Sequence, residues 1–524
     1  MRARGSRANR TSGAGLPALI ACAVALGGCP RRGPPPRDTL ILGTTRDLST
    51  FDPAFTQLSS EQEVVRLLFR DLTTLDDDWA LVPDLAEALP TVTATGGDQM
   101  VEWRLRPGLK WSDGHPLTAS DVRFGWQIEA NSALAAVSHD TAARVRRFEV
   151  EDPQRFRVVF RGAFADYAAP RVHAVLPAHA YPKPSPDRPF AGMTEDPISS
   201  GPFRVKEHVR GQHLILERNP FWAGPAPGLA RVVFRFFPSE DGFEAALATG
   251  AIHALGEASG LTPDRVSALR DRLKDTHRVV AKDGGVLLHL DVRHQHPALG
   301  RPEVRRALLA AVDREGLAQV TYDGLATPAD GLFPPRHPGF DPELPTVAHD
   351  PAAARVVISA LPADQRTWTL TIGAGSQAAA RAGAFLKDAL EAAGARVTLR
   401  TLPMKVLFEA MEAGTQDPLV LFAWRVRPDW DGASVVGAEG RQNPGGYASP
   451  EMDALLARVA ATVDPTARAP LLRAIDARFR ADLPAIPLLF RQTVSVVPKD
   501  LAGWRPTGTA TPVTWNAEAW RFPE

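Results

Sequence analysis

Cysteine is almost absent from this chain. Its 524 residues hold two, Cys22 and Cys29, which leaves no basis for a disulfide framework. Long apolar runs are missing as well. The Leu16–Leu26 stretch is too short for the ~20 residues that span a bilayer, so a multi-span membrane protein is excluded. No block of Lys and Arg interleaved with aromatics stands out, which speaks against nucleic acid as a partner. There is no GxxxxGK[ST] phosphate loop, no GxSxG nucleophile elbow and no HExxH zinc motif, so the common enzymatic readings have no footing. What is present is an ordinary globular composition, 44% hydrophobic and 23% charged, in a chain long enough for roughly two to four domains. The formal charge is zero; without Arg2, Arg4, Arg7 and Arg10 it becomes 56 basic against 60 acidic residues, or −4.

Those four arginines precede the Leu16–Leu26 run, and together they have the proportions of a secretory signal peptide. The run ends in Leu26-Gly27-Gly28-Cys29, which resembles a bacterial lipobox. That resemblance implies cleavage after residue 28 and acylation of the Cys29 thiol. Cys22 would leave with the signal, so no free thiol would remain. Residues 29–37, with Pro30 and Pro34-Pro-Pro36, read as an extended tether between a membrane and a folded body. Proline rather than aspartate after Cys29 points to the outer membrane if the host is Gram-negative.

From Thr39 onward strand and helix patterns alternate. Ser60 with Glu63 has the spacing of a capping box, as does Thr118 with Asp121, and Asp113-Gly114 reads as a turn. Val101, Trp103 and Leu105 alternate with charged residues as a half-buried strand does, and Phe156–Phe160 reads as another. Pro177–Pro189 reads as a linker. Arg210-Gly211 separates two strand patterns as a hairpin turn would. Gly285–Val292 reads as the strand entering a new lobe, followed by a helix over Pro302–Val320. The later alternation of strands and helices predicts a largely parallel sheet covered by helices. Within it, Leu419–Ala423 is a run suited to a strand buried on both faces. Pro428 stops that ladder. Trp424, Arg425, Arg427, Asp429 and Trp430 then crowd the carboxyl end of the strand, where open α/β sheets place their ligands. Asp113 and Asp121 read as structural. His289, His294 and His296 form the closest approach to a metal-like cluster, although solvated loop histidines are the commoner case.

The run Trp103-Arg-Leu-Arg-Pro-Gly-Leu-Lys-Trp-Ser-Asp-Gly-His-Pro-Leu-Thr-Ala-Ser-Asp-Val122 resembles the signature of family 5 extracellular solute-binding proteins, the oligopeptide and dipeptide receptors of ABC importers. Val82-Pro-Asp-Leu-Ala-Glu87, Ser200-Gly-Pro-Phe-Arg-Val205, Leu216-Glu-Arg-Asn-Pro-Phe-Trp222, Glu303-Val-Arg-Arg-Ala-Leu308 and Tyr447-Ala-Ser-Pro-Glu-Met-Asp453 follow in the family's order. The resemblance implies an α/β chain with a type 2 periplasmic-binding-protein fold: two lobes joined by a hinge, with a subdomain inserted in lobe I. Lobe I is expected at 38–66, 193–276 and 487–524, the insertion at 67–192 and lobe II at 277–486. Trp103, Trp111, Trp126 and Trp222 are expected to pack the lobes.

The resemblance also implies function. The chain would be a monomeric, non-enzymatic, lipid-anchored receptor without a cofactor or metal, capturing a peptide or peptide-like solute and delivering it to a permease powered by separate ATPase subunits. Family members for nickel chelates, heme or oligosaccharides are the alternative, as is a surface protein reusing the fold for adhesion, signalling or chaperoning. Peptide receptors of the family commonly place an aspartate three residues after the cleft tryptophan, to pair with the peptide's ammonium group. Counting from Trp424, that position is Arg427. The ligand is therefore expected to be not an ordinary peptide held by its N-terminal amine but one with a blocked amine or an anionic group; Arg427 turned to solvent with Asp429 in its place would restore the ordinary peptide.

Overall fold

The computed structural model describes residues 38–524 apart from 57, 96, 135, 182–192, 257–258, 260–262, 510–511 and 524. The signal segment, Cys29 and the tether therefore lie outside the described residues, as does most of the Pro177–Pro189 stretch. No helix among the described residues is long and apolar enough to cross a membrane.

Three principal sheets organise the chain. In the first lobe Thr39–Thr44 pairs in parallel with Arg231–Phe236, which continues antiparallel into His213–Arg218 and Phe203–Val209. The last two strands form the hairpin expected around Arg210-Gly211. Strand alternation sends Leu40, Leu42, Leu214, Leu216, Val232 and Phe234 into one core, each at most 1% exposed. The second sheet is wholly antiparallel, in the order Thr91–Thr95, Asp98–Arg104, Arg155–Arg161, Val145–Val150. It is the core of the inserted subdomain, where Trp103 stacks on Phe156 across the ladder. Trp103 and Trp111 are buried, in keeping with packing roles. The helix Ala119–Ala130 that covers this region starts at the expected capping box, with the Thr118 amide donating to Asp121 Oδ2 at 2.8 Å.

The third sheet, of the second lobe, has six strands: Ala326–Pro328, Ala485–Pro498, His277–Val292, Leu419–Arg425, Thr367–Gly373 and Arg396–Leu402. It is mixed rather than largely parallel. Its two parallel pairings are those of Thr367–Gly373 with Arg396–Leu402 and with Leu419–Arg425; the other pairings are antiparallel. The reason lies in His277–Val292 and Ala485–Pro498, which run in opposite directions through both lobes and so cannot pair in parallel. Their outer halves, His277–Lys282 against Thr493–Pro498, lie with the first lobe, where Val494 and Val496 join Phe243, Ile252 and Leu255 in one core. Their inner halves, Val286–Asp291 against Ala485–Arg491, carry Leu288, Leu290, Ile486 and Leu488 into the core of the second. The ladder slips register between Lys282 and Val286. The arrangement is the two-lobed, subdomain-bearing fold that the resemblance implied.

Two local expectations change. The stretch read as one helix over Pro302–Val320 is two, Pro302–Ala311 and Arg314–Tyr322. Val312 is extended between them, and Asp313 caps the second by accepting from the Gly316 amide at 3.1 Å. The helix Ser59–Leu68 begins a residue before Ser60, with Leu58 at its N-cap and no side-chain cap there. Glu61, in its first turn, instead accepts from the Ser49 amide at 3.0 Å.

The crossing between lobes demands glycine. A Cβ on Gly284 would lie 2.3 Å from the Arg491 carbonyl oxygen, and one on Gly285 would lie 2.1 Å from that of Val426. Both obstacles are backbone, which cannot rotate away. Gly285→Ala is therefore expected to lower unfolding free energy by about 1–3 kcal/mol, the usual cost of overpacking. Denaturant unfolding checks this, and a midpoint unchanged from the wild type would contradict it.

Candidate functional site

A cavity of about 440 Å³ opens between the lobes, within the ~300–1,000 Å³ range of ligand sites. The helix Ser59–Leu68 and the residues after it contribute Val65, Arg66, Phe69 and Asp71. Phe164, Asp166 and Arg171 come from the inserted subdomain, and Arg427, Pro428 and Asp429 from the second lobe.

The first-lobe wall is a fixed ion network. Arg66 reaches Asp71 at 3.1 Å and Asp84 at 2.5 Å, and Arg70 reaches Glu518 at 2.8 Å. Arg66 and Arg70 are 6% and 3% exposed. Burial alone would raise the Asp84 carboxyl, but Arg70 and Arg66 outweigh it and hold the group below its usual range. At Asp71 burial wins over Arg66 and the pKa rises. Arg171 is committed too, donating from Nη2 to the carbonyls of Pro53 at 3.0 Å and Thr56 at 2.9 Å. These cations are spent on the scaffold, since removing a partner from a buried pair leaves a costly lone charge.

The opposite wall is different. Strand Leu419–Arg425 is buried through Leu421 and then emerges, with Ala423 and Arg425 exposed. A turn follows, closed by the Trp430 amide on the Arg427 carbonyl at 3.1 Å. Arg468 clamps the turn by donating to the Asp429 carbonyl at 3.3 Å. Arg427 and Asp429 both face the cavity and meet each other at 3.4 Å. Across from them stands Asp166, whose Oδ1 is shielded from water, has no hydrogen-bond partner, and lies 4.0 Å from Arg468. Burial, and then Asp429, push the Asp166 carboxyl up to about 6 against the pull of Arg468 and Arg427.

The other residues singled out in the sequence go elsewhere. Trp424 is 5% exposed and stacks on His289 at 3.7 Å in the core. Trp430 packs edge-on against Phe333, and its carbonyl accepts from His337 Nε2 at 2.9 Å. Both tryptophans anchor the turn from behind. Arg425 is exposed and does not line the cavity. His289, His294 and His296 do not converge. The first contacts the Leu287 carbonyl, the second donates to the Pro484 carbonyl at 2.8 Å, and the third accepts from the Ala298 and Leu299 amides. Asp166, Arg171 and Arg468 had no signal in the sequence, because only the tertiary fold brings them to the cleft.

Asp166 yields a pH test. Its carboxyl moves from an ordinary value near 3.8 to about 6 in the folded protein. Between those values the folded state holds a proton that the unfolded state lacks. The group's contribution to stability is therefore complete below about pH 4 and lost as pH rises through about 6. Asp166→Asn should consequently gain stability relative to the wild type between about pH 4 and pH 7. Chemical denaturation of both proteins across that range measures the gap; a gap that stays constant or narrows would refute the assignment.

Comparison with known proteins agrees with the geometry. Residues 80–440 match the family model described as bacterial extracellular solute-binding proteins, family 5 Middle. Protein XP55 of Streptomyces lividans is 25% identical over 480 residues, covering 88% of this chain and 85% of that one. The ABC transporter substrate binding protein CtaP of Listeria monocytogenes superposes with a TM-score of 0.80 at 20% identity, over 93% of this chain and 99% of its own. The oligopeptide binding protein of Thermus thermophilus, solved with a pentapeptide, gives 0.67 at 22% identity, over 93% and 96%. The two-lobed fold, the inter-lobe cavity and the family match thus converge, and the chain belongs to the bacterial extracellular solute-binding proteins of family 5, the substrate-binding components of ABC transporters rather than enzymes.

Proposed function

We propose that this chain is the lipid-anchored, monomeric receptor of a peptide importer, holding a short peptide or peptide-like solute between its lobes and presenting it to a permease driven by separate ATPase subunits. The ligand's amino end lies beside Asp166 and Asp429, and a carboxylate or other anionic group lies beside Arg427. One observation carries this reading: the carboxylates of Asp166, Asp429 and Asp431 outnumber the guanidinium groups of Arg427 and Arg468 where the lobes face each other, and Asp166 Oδ1 lacks a hydrogen-bond donor. An incoming ammonium group adds to the pull of Arg468 and Arg427 against the burial, and then the Asp429 charge, that raise the Asp166 carboxyl. Arg427 alone would disfavour an amine, but the contact with Asp429 offsets its charge locally.

Calorimetric titration with matched free-amine and N-acetylated peptides tests the ligand class. The wild type should prefer the free amine, and Asp429→Asn should weaken that binding by at least about tenfold, the lower end of what truncating a charged pair costs in a partly open cleft. Arg427→Ala should keep the preference. Equal or tighter binding of the acetylated peptide would overturn the reading in favour of a ligand with a blocked amine or an anionic end.

Cys29 carries the membrane attachment in this reading, supported by the lipobox-like Leu26-Gly-Gly-Cys29 and the proline-rich tether. Because the acyl chains supply the membrane affinity, Cys29→Ser should shift most of the protein into the soluble envelope fraction. A variant that still sediments with membranes in the absence of detergent would contradict the assignment.

A further inference from the structure

A second cluster of chemically capable side chains lies on the inserted subdomain, and none of its members lines the inter-lobe cavity. The loop before helix Ala119–Ala130 is pinned on both sides. The Trp111 amide donates to the His115 carbonyl at 2.9 Å, and the Leu117 amide to that of Leu109 at 3.0 Å. Trp111, at the base, is fully buried. Asp113 Oδ1 accepts from the His115 amide at 3.0 Å, which fixes the carboxylate and leaves Oδ2 to meet two imidazoles. His115 Nδ1 stands 3.0 Å from Oδ2, and His179 Nε2 stands 2.7 Å from it. His179 is held from the other direction by the same capping box, since the neighbouring Ala178 amide donates to Asp121 Oδ1 at 3.1 Å. The two rings stack at 4.3 Å.

We propose that Asp113, His115 and His179 form a surface binding site for a divalent transition-metal ion of the zinc, nickel or copper class. One donor atom from each residue lies within 4.8 Å of the other two, the one such group among the described residues. A tetrahedral ion with bonds of about 2.0–2.2 Å needs ligand atoms roughly 3.4 Å apart, so small side-chain shifts suffice, with water in the fourth position. Two imidazoles and one carboxylate suit borderline metals rather than magnesium or calcium. On binding, each ring would coordinate through the nitrogen that faces Asp113 and carry its N–H on the other nitrogen. Burial raises the Asp113 carboxyl, but hydrogen bonds from His179 and the His115 amide outweigh it and keep the ligand ionised. The backbone that carries all three residues is fixed before any ion arrives, which is what a weakly buried site needs to bind well.

The test uses the untagged full-length chain, extracted in detergent and stripped with chelator. Zinc and nickel binding is followed by equilibrium dialysis, and copper coordination by electron paramagnetic resonance. The wild type should bind one equivalent saturably, with nitrogen hyperfine structure from two imidazoles. His115→Ala, His179→Ala and Asp113→Asn should each weaken binding at least about tenfold, the scale on which even outer-sphere partners act. Circular dichroism should show the fold retained, since all three side chains are at the surface. Absence of saturable binding at millimolar metal would overturn the site, as would binding that persists in the His115→Ala, His179→Ala double variant. Asp429→Asn should leave the metal isotherm unchanged, so this result is separable from the fate of the peptide reading.

Discussion

The antiparallel ladder between His277–Val292 and Ala485–Pro498 is the interaction on which the rest of the molecule depends. These two strands belong to both lobes at once, and their backbone hydrogen bonds continue on either side of the slip between Lys282 and Val286. A connection of this kind transmits torsion, because rotating one lobe twists a ribbon rather than flexing a loop. The glycines at the slip let three chain segments approach there, with Val426 donating to the Gly285 carbonyl and Gly285 to that of Gly508. Val426 leads directly into the Arg427–Asp429 turn, so the residues facing the ligand cavity are mounted on the crossing itself.

The two walls of the cleft illustrate opposite uses of charge. In the first lobe, Arg66 and Arg70 pair with Asp71, Asp84 and Glu518 and fasten the helix Ser59–Leu68 and the residues after it to the C-terminal segment. Such a network gives rigidity and leaves little for a ligand. Around Asp166 and Asp429 the compensation is incomplete, and the raised Asp166 carboxyl is the visible sign of it. Perturbed ionisation concentrates where a protein leaves electrostatic work for its ligand to finish.

Much of the fold could be read from residue order. The capping box at Thr118 and Asp121 and the hairpin at Arg210-Gly211 are local, so propensity and periodicity report them. The family motifs supplied the two-lobed arrangement. The outer half of His277–Val292 was not legible, because Arg278, Lys282 and Asp283 interrupt its apolar pattern where it runs between lobes in partial contact with water. The mixed sheet was missed for a related reason: a strand arriving from another lobe carries no mark of its direction. At the site, the turn after Arg425 was found because proline and clustered charge interrupt an apolar run. Its tryptophans were legible as aromatic but not as inward-facing, and Trp424 turns to His289 because the alternation of the strand places it on the covered face. Asp166 and Arg468 are 302 positions apart in sequence, and no spacing rule reaches across that distance.

One core of the first lobe joins Leu40 and Leu42, from the start of the folded body, to Val497, Leu501, Trp504 and Trp520 from its end. Contacts with such a separation are the slowest to form, and here they cannot form until Val497, Leu501, Trp504 and Trp520 have been made. A chain that emerges from the ribosome in order therefore carries an unfinished first lobe from Leu40 until Trp520 has emerged. In a family of extracellular proteins this is an advantage, since a polypeptide that cannot close its core early stays unfolded for longer and so remains able to cross a membrane before its architecture is complete.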